Sequence, residues 1–149
     1  LVLGALGLML IGTAATVDDG SVALRAATLQ AGASVWDGVF TEEQAARGKD
    51  EYTKECAQCH LDDLLGDGVA PAMVGEAFQF RWSDLSVGDL LVAIRTTMPQ
   101  EAPASLSLQG YSDIVSYVLQ VNGFPAGDTQ LPTDVSELEQ IIIHEEPPQ

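Results

Sequence analysis

The sequence predicts an all-α fold, and three observations carry the prediction. Two Ser or Thr capping signatures each introduce apolar residues at helical spacing, and a third apolar run around residue 115 covers two adjoining helix faces. No stretch alternates apolar and polar residues as a half-buried strand would. The 149 residues are near the usual size of one domain, and an apolar content of 46% is enough for a core without a membrane bundle.

The chain begins with LVLGALGLMLIGTAATV, residues 1–17, which carry no charge and then break into Asp18, Asp19 and Gly20. This is the pattern of the apolar region and exit of a secretory signal, with small residues Thr13, Ala14 and Ala15 at the cleavage position. With neither an initiator Met nor a basic leader, it reads as the inner part of such a signal. A cleaved signal is the first expectation and a retained N-terminal anchor the second; either places the remainder outside the cytoplasm. Residues 18–38, rich in Gly and Ala, read as an extended linker.

The domain is expected over residues 39–127. Thr41 with Gln44 three positions on forms a capping signature, and Ala45, Gly48 or Lys49, Tyr52 and Cys56 follow at helical spacing, so a helix delivers the chain into the cysteines. Residues 61 to 82 show no sustained period and are punctuated by Gly66, Gly68, Pro71 and Gly75, which predicts a long loop around something. Ser86 with Asp89 opens the next helix, whose Val87, Leu90, Leu91 and Ile94 form an apolar face; Pro99 stops it. Residues 107 to 122 form the last long helix, with Leu108, Tyr111, Val115, Val118 and Leu119 on one face and Ile114, Tyr117 and Val121 on the next, ended by Gly123 and Pro125. So wide an apolar surface implies contact with two things. Residues 128–149 are an acidic tail, expected to be a solvated covering segment in which LEQIII forms a short helix or strand on the domain.

With 22 acidic and 6 basic residues the formal charge is −16. Phosphate backbones and anionic lipid headgroups repel such a surface, so nucleic acid is excluded as a partner and a membrane enters only through a retained anchor. A basic docking face on a protein partner would suit it.

Both cysteines of the chain lie in CAQCH, with His60 directly behind Cys59. A structural zinc site needs four ligands, and outside this motif only His144 is spare. A thioredoxin-like dithiol belongs in a βαβ setting, which is missing. A disulfide closing so small a loop constrains the unfolded chain little and leaves His60 without a purpose. Covalent haem accounts for all three residues: Cys56 and Cys59 add to the haem vinyl groups as thioethers, and His60, fixed beside the ring, ligates the iron.

The sixth ligand is sought among Met9, Met73, Met98 and His144. Met9 lies in the export segment, and His144 reads as a solvated side chain of the tail. Met73 follows His60 by only 13 residues, near Pro71 and Gly75, and is expected to pack on the haem, with ligation the alternative. Met98 stands 38 residues beyond His60 in a loop stiffened by Pro99, far enough for the chain to pass round the ring edge, and is expected to ligate.

In this order, GKDEYTKECAQCH, APAMVG, LLVAIRTTMP and YSDIVSYVLQVNGFPAG, the sequence resembles a bacterial monohaem class I cytochrome c over residues 41 to about 127. The wording is most similar to small cytochromes, or cytochrome domains, that accept electrons from quinoprotein-type periplasmic dehydrogenases. The resemblance implies a fold of three to four helices around one haem c held by Cys56 and Cys59, with axial ligands His60 and Met98. It implies that the Pro71 carbonyl accepts the other ring proton of His60. It also implies that Gly48 and Tyr52 cross the last helix near Tyr117, and that Arg81, Trp82 and Arg95 bond the haem propionates, with a solvated surface charge the alternative for both arginines. Met73 stands where the family often has Leu, which favours packing.

Filled axial positions leave no site for substrate or dioxygen, so the expected function is periplasmic electron transfer, one electron at a time, between a dehydrogenase and a terminal acceptor, and not catalysis. Leu90, Leu91, Ile94, Val115, Val118 and Leu119 are expected to bury the ring. The alternatives are a haem-based small-ligand sensor, in which Met98 leaves the iron, and a cytochrome subunit of a larger oxidoreductase complex.

Overall fold

The computed structural model describes residues 33–148. The expected export segment, Met9 and the first part of the expected linker, residues 18 to 32, lie outside them. The all-α expectation holds: six helices are present among the described residues, with one small two-stranded pairing.

Helix α1 (Glu42–Glu55) starts where Thr41 Oγ1 accepts the Gln44 N–H at 3.2 Å. Only half of the expected capping box forms, because the Gln44 amide is used elsewhere: its Nε2 donates to Ser112 Oγ (3.2 Å) and the Leu131 carbonyl (3.1 Å), and its Oε1 accepts the Leu131 N–H (2.7 Å). After the single turn α2 (Ala57–His60) and a loop comes α3 (Gly75–Trp82). This third helix corrects the reading of residues 61 to 82 as loop throughout. Its period was hidden because Phe78 is buried while Phe80, two positions on, is 95% exposed, so the apolar residues do not mark one face.

Helix α4 (Val87–Thr97) carries the full Ser86–Asp89 capping box, in which the Ser86 hydroxyl and N–H hold the Asp89 carboxyl below its ordinary value. Helix α5 (Leu108–Val121) is buried along most of its length, as its two apolar faces require. Helices α1 and α5 cross at Gly48, where a Cβ would run into the Asp113 carbonyl oxygen. On either side of the crossing Arg47 grips the Asp113 carboxylate with two bonds of 2.8 and 3.0 Å, and the Tyr52 and Tyr117 rings stand 5.5 Å apart.

The two ends of the described chain are tied together. Ala33–Ser34 (β1) pairs in parallel with Ile141–Ile142 (β2), in register Ala33 to Ile141 and Ser34 to Ile142, and a 3₁₀ turn, Val35–Asp37, follows β1. Trp36 Nε1 donates to the His144 carbonyl at 3.0 Å. Residues 33 to 37 are thus regular structure with Val35 fully buried, and not extended linker. Helix α6 (Val135–Leu138) precedes β2, and Leu131, Leu138 and Ile143 are fully buried. The tail is therefore a strap whose apolar side chains complete the core, which corrects the expectation of a solvated cover, while the short helix or strand expected at LEQIII is present as the end of α6 and β2. His144 lies in this strap with its Nδ1 3.4 Å from the Asp84 carboxylate.

Candidate functional site

The site is built outward from the end of α1. Cys56, at φ −124°, breaks the helix, and α2 restarts so that the Cys59 and His60 N–H groups both return to the Cys56 carbonyl, at 3.2 and 3.0 Å. Leu61 then takes φ +63° and ψ 165°, backbone that ordinarily belongs to Gly. It is held there by the buried Tyr52, whose hydroxyl donates to the Leu61 carbonyl at 2.7 Å and whose pKa is raised by that burial.

The following loop folds back on this turn. Gly66 N–H donates to the His60 carbonyl (3.0 Å) and Met73 N–H to the Leu64 carbonyl (2.8 Å). Asp67 accepts the Ala70 and Val69 N–H groups at 2.9 Å each, which lowers its carboxyl pKa. Gly66, at φ +71°, packs against the Ala70 carbonyl so closely that no Cβ fits. The result is that the Pro71 carbonyl faces the buried His60 ring, 2.9 Å from Nδ1. A carbonyl only accepts, so Nδ1 carries the proton and Nε2 keeps a free lone pair for a metal.

That ring opens on a cavity of ≈ 500 Å³, within the range of cofactor sites. It is lined by Cys56, Cys59, His60, Pro71, Met73 and Met98 together with Phe78, Leu90, Ile94, Ile114 and Val118. Of the residues expected to attach, ligate or hydrogen-bond the haem, Cys56, Cys59, His60, Pro71, Met73, Arg81, Trp82 and Met98 line this cavity and Arg95 does not. The cavity face of α4 runs through Leu90, Ala93, Ile94, Thr97 and Met98, and position 95 is turned about 140° from Leu90 on a helix of 3.6 residues per turn. Arg81 does line it, with its guanidinium 5.2 Å from the Trp82 ring centroid, and among the described lining residues it is the one Lys or Arg. Glu55, Asp67 and Glu101 make the rest of the charged lining acidic.

Leu91, Val115 and Leu119, expected around the ring, are instead fully buried in the protein core, while Phe78 and Ile114 stand in the cavity wall. The two faces of α5 were legible in the sequence; which of them meets the cavity was not. Two polar residues, one in α5 and one capping its end, also went unnoticed as site builders. Tyr111 donates to the Met98 carbonyl at 2.8 Å, and Asn122 holds the Met73 carbonyl and the Gly75 N–H, both at 3.0 Å. A hydroxyl in an apolar stripe is the signal that would have found Tyr111, since a buried phenol needs a partner.

The residues fit haem c. Apolar walls surround a space of cofactor size, a ring nitrogen is freed for iron, a thioether enters from α4, and one cation is available for propionates. The other chemistries fit less well. Among the described residues no three His, Cys, Asp or Glu are grouped to hold a metal ion, so a four-donor zinc site lacks its ligands. Burial, with Glu55 and Glu51 nearby, pushes the Cys56 thiol up to about 11, opposite to the low value a reactive dithiol needs. Among the described residues no helix is long and apolar enough to cross a membrane.

Residues 43–118, just over half of the chain and reaching from α1 into α5, match the family model described as cytochrome C oxidase, cbb3-type, subunit III. No curated protein and no solved structure matches the chain.

Proposed function

Because the chain belongs to the family of cytochrome C oxidase, cbb3-type, subunit III, and is thus a monohaem class I cytochrome c built for haem-based electron transfer, we propose that Cys56 and Cys59 hold one haem c, that His60 and Met98 are its axial ligands, and that the protein is a periplasmic one-electron relay. A single observation carries this reading: Cys56, Cys59, His60 and Met98 line the same apolar cavity, with His60 already oriented by Pro71. When bound, the haem supplies an iron that takes up and returns one electron.

The chain's own residues set the terms of that exchange. The Pro71 carbonyl keeps His60 in the tautomer that ligates through Nε2. Met98 offers a thioether, a weak donor that favours the ferrous state, and Phe78, Leu90, Ile94, Ile114 and Val118 exclude water, which disfavours the extra ferric charge. Met73 packs in the wall: its carbonyl and N–H are both fixed in the loop that holds Pro71 against His60. Arg81, backed by Trp82, binds a propionate.

The partner is a redox protein with a basic face, since Glu55, Asp67 and Glu101 surround the cavity on a chain of net charge −16. The resemblance to cytochromes that serve quinoprotein dehydrogenases supports a free or tethered shuttle. The matched description names an oxidase subunit, and this favours a second reading, a cytochrome subunit held in a larger oxidoreductase. Binding that weakens steeply with added salt fits a shuttle; a complex that survives high salt and detergent fits a subunit.

The ligation is tested by the absorption spectrum of haem-loaded protein. The oxidised wild type should show the methionine-to-iron band, Met98→Ala should lose it, and reduced wild type should not take up carbon monoxide. A band that persists in Met98→Ala, or carbon monoxide binding by the wild type, would contradict the relay.

A further inference from the structure

Helix α4 ends at Met98, whose N–H still returns to the Ile94 carbonyl (2.8 Å) while its own backbone has swung out to φ −129°, ψ 152°. Its carbonyl has left the helical pattern and needs a donor of its own. Tyr111 supplies it. The side chain is 1% exposed in the first turn of α5, and its hydroxyl donates to the Met98 carbonyl at 2.8 Å while lying 3.5 Å from the Leu106 N–H. One phenol thereby joins the two ends of the connection between α4 and α5. Of the other bonds of that connection, three run within it or back to α4, Ala102 N–H to the Pro99 carbonyl, Ser105 N–H to the Ala102 carbonyl and Ala104 N–H to the Arg95 carbonyl, and at its far end Ser107 caps α5 by accepting the Tyr111 and Gly110 N–H groups. None of them ties Met98 to the helix pair α1 and α5, which is locked through Gly48 and Arg47.

From this geometry we infer that Tyr111 is a positioning residue for the sixth ligand: its hydroxyl fixes the Met98 backbone to the rigid α5, so that the thioether stays in the cavity. The inference rests on the reading of Met98 as an iron ligand. Without the hydroxyl the ring still fills its place in the core, but the end of α4 is free to move and Met98 yields its position more readily to a competing ligand. A residue that served packing alone would change stability when altered and leave that competition untouched.

The test uses full-length, haem-loaded protein as wild type, Tyr111→Phe, Met98→Ala and the double variant, with imidazole as the competing ligand for the oxidised iron. Its binding is followed by loss of the methionine-to-iron band where that band is present and by the haem spectrum otherwise. Tyr111→Phe should bind imidazole about five- to tenfold more tightly than wild type, the effect of losing one buried hydrogen bond from the ligated state. The difference should vanish in the Met98→Ala background, where there is no thioether to displace. Unchanged imidazole affinity in Tyr111→Phe, even with a lowered unfolding midpoint, would overturn the inference and leave a packing role. An equal effect with and without Met98 would overturn it as well, since the cavity as a whole would then have loosened. A Met98→Ala protein with wild-type spectrum and wild-type imidazole affinity would instead overturn the ligation reading, and the tether with it.

Discussion

At His60 the chemistry depends on backbone several residues away. The imidazole is set by a carbonyl that Gly66 and Asp67 bring into place, and the turn behind it is held by the Tyr52 hydroxyl. That Cys56, Cys59, His60 and Met98 would meet at one cavity was legible in the sequence because the chemistry proposed for them is tied to residue type and spacing. The expected role of Pro71 came from resemblance, and its carbonyl lies where that role requires. Arg81 and Arg95 were not separable in the sequence, since a solvated cation and a propionate-binding one have the same letter. Helix geometry separates them, with Arg81 in the wall and Arg95 turned away. Arg81→Ala should therefore lower the reduction potential, because a cation near the haem favours the electron-rich ferrous state, while Arg95→Ala should leave it unchanged. A redox titration of the two variants decides the matter; equal shifts in both would contradict the assignment.

At the scale of elements, the close crossing of α1 and α5 fixes where everything else can sit. Both helices were legible from their caps and periodicity, and Gly48 was expected to permit close approach by family likeness. That its contact would be the Asp113 backbone, bracketed by the Arg47 pair, is tertiary information that no local pattern encodes. Gly48→Ala puts a methyl group into that carbonyl and forces the helices apart. The cost should be about 3 kcal/mol, the upper range for overpacking, measured as a lower urea midpoint in haem-loaded protein. A midpoint within experimental error of wild type would show that the crossing is loose. Helix α3 escaped the sequence for the opposite reason, since its exposed Phe80 blurred an otherwise regular face.

For the whole molecule, the cytochrome domain needs its tail. The family match stops at residue 118, yet Leu131, Leu138, Ile141 and Ile143 beyond it are buried, and Gln44 inside α1 spends its amide on Leu131. LEQIII was legible as a short element lying on the domain, but six residues are too few for periodicity to show which side chains enter the core, and the acidic surroundings point to solvent. Ending the chain after Gly127 would expose the surfaces these four side chains cover. At roughly 1.5–3 kcal/mol for each fully buried aliphatic side chain, the loss should be about 5 kcal/mol or more, a large share of a domain's usual 5–15 kcal/mol. Denaturant unfolding of the shortened, haem-loaded chain tests this; an unchanged midpoint would return the tail to the role of a cover.

The proposed relay depends on one covalently held haem. The most direct measurement is the mass of the intact polypeptide under denaturing conditions, after production with haem-maturation machinery, for wild type and for Cys56→Ala/Cys59→Ala. The account predicts that wild type carries the added mass of one haem and that the double variant carries none. A wild-type mass equal to the bare chain, or equal for both proteins, would contradict it.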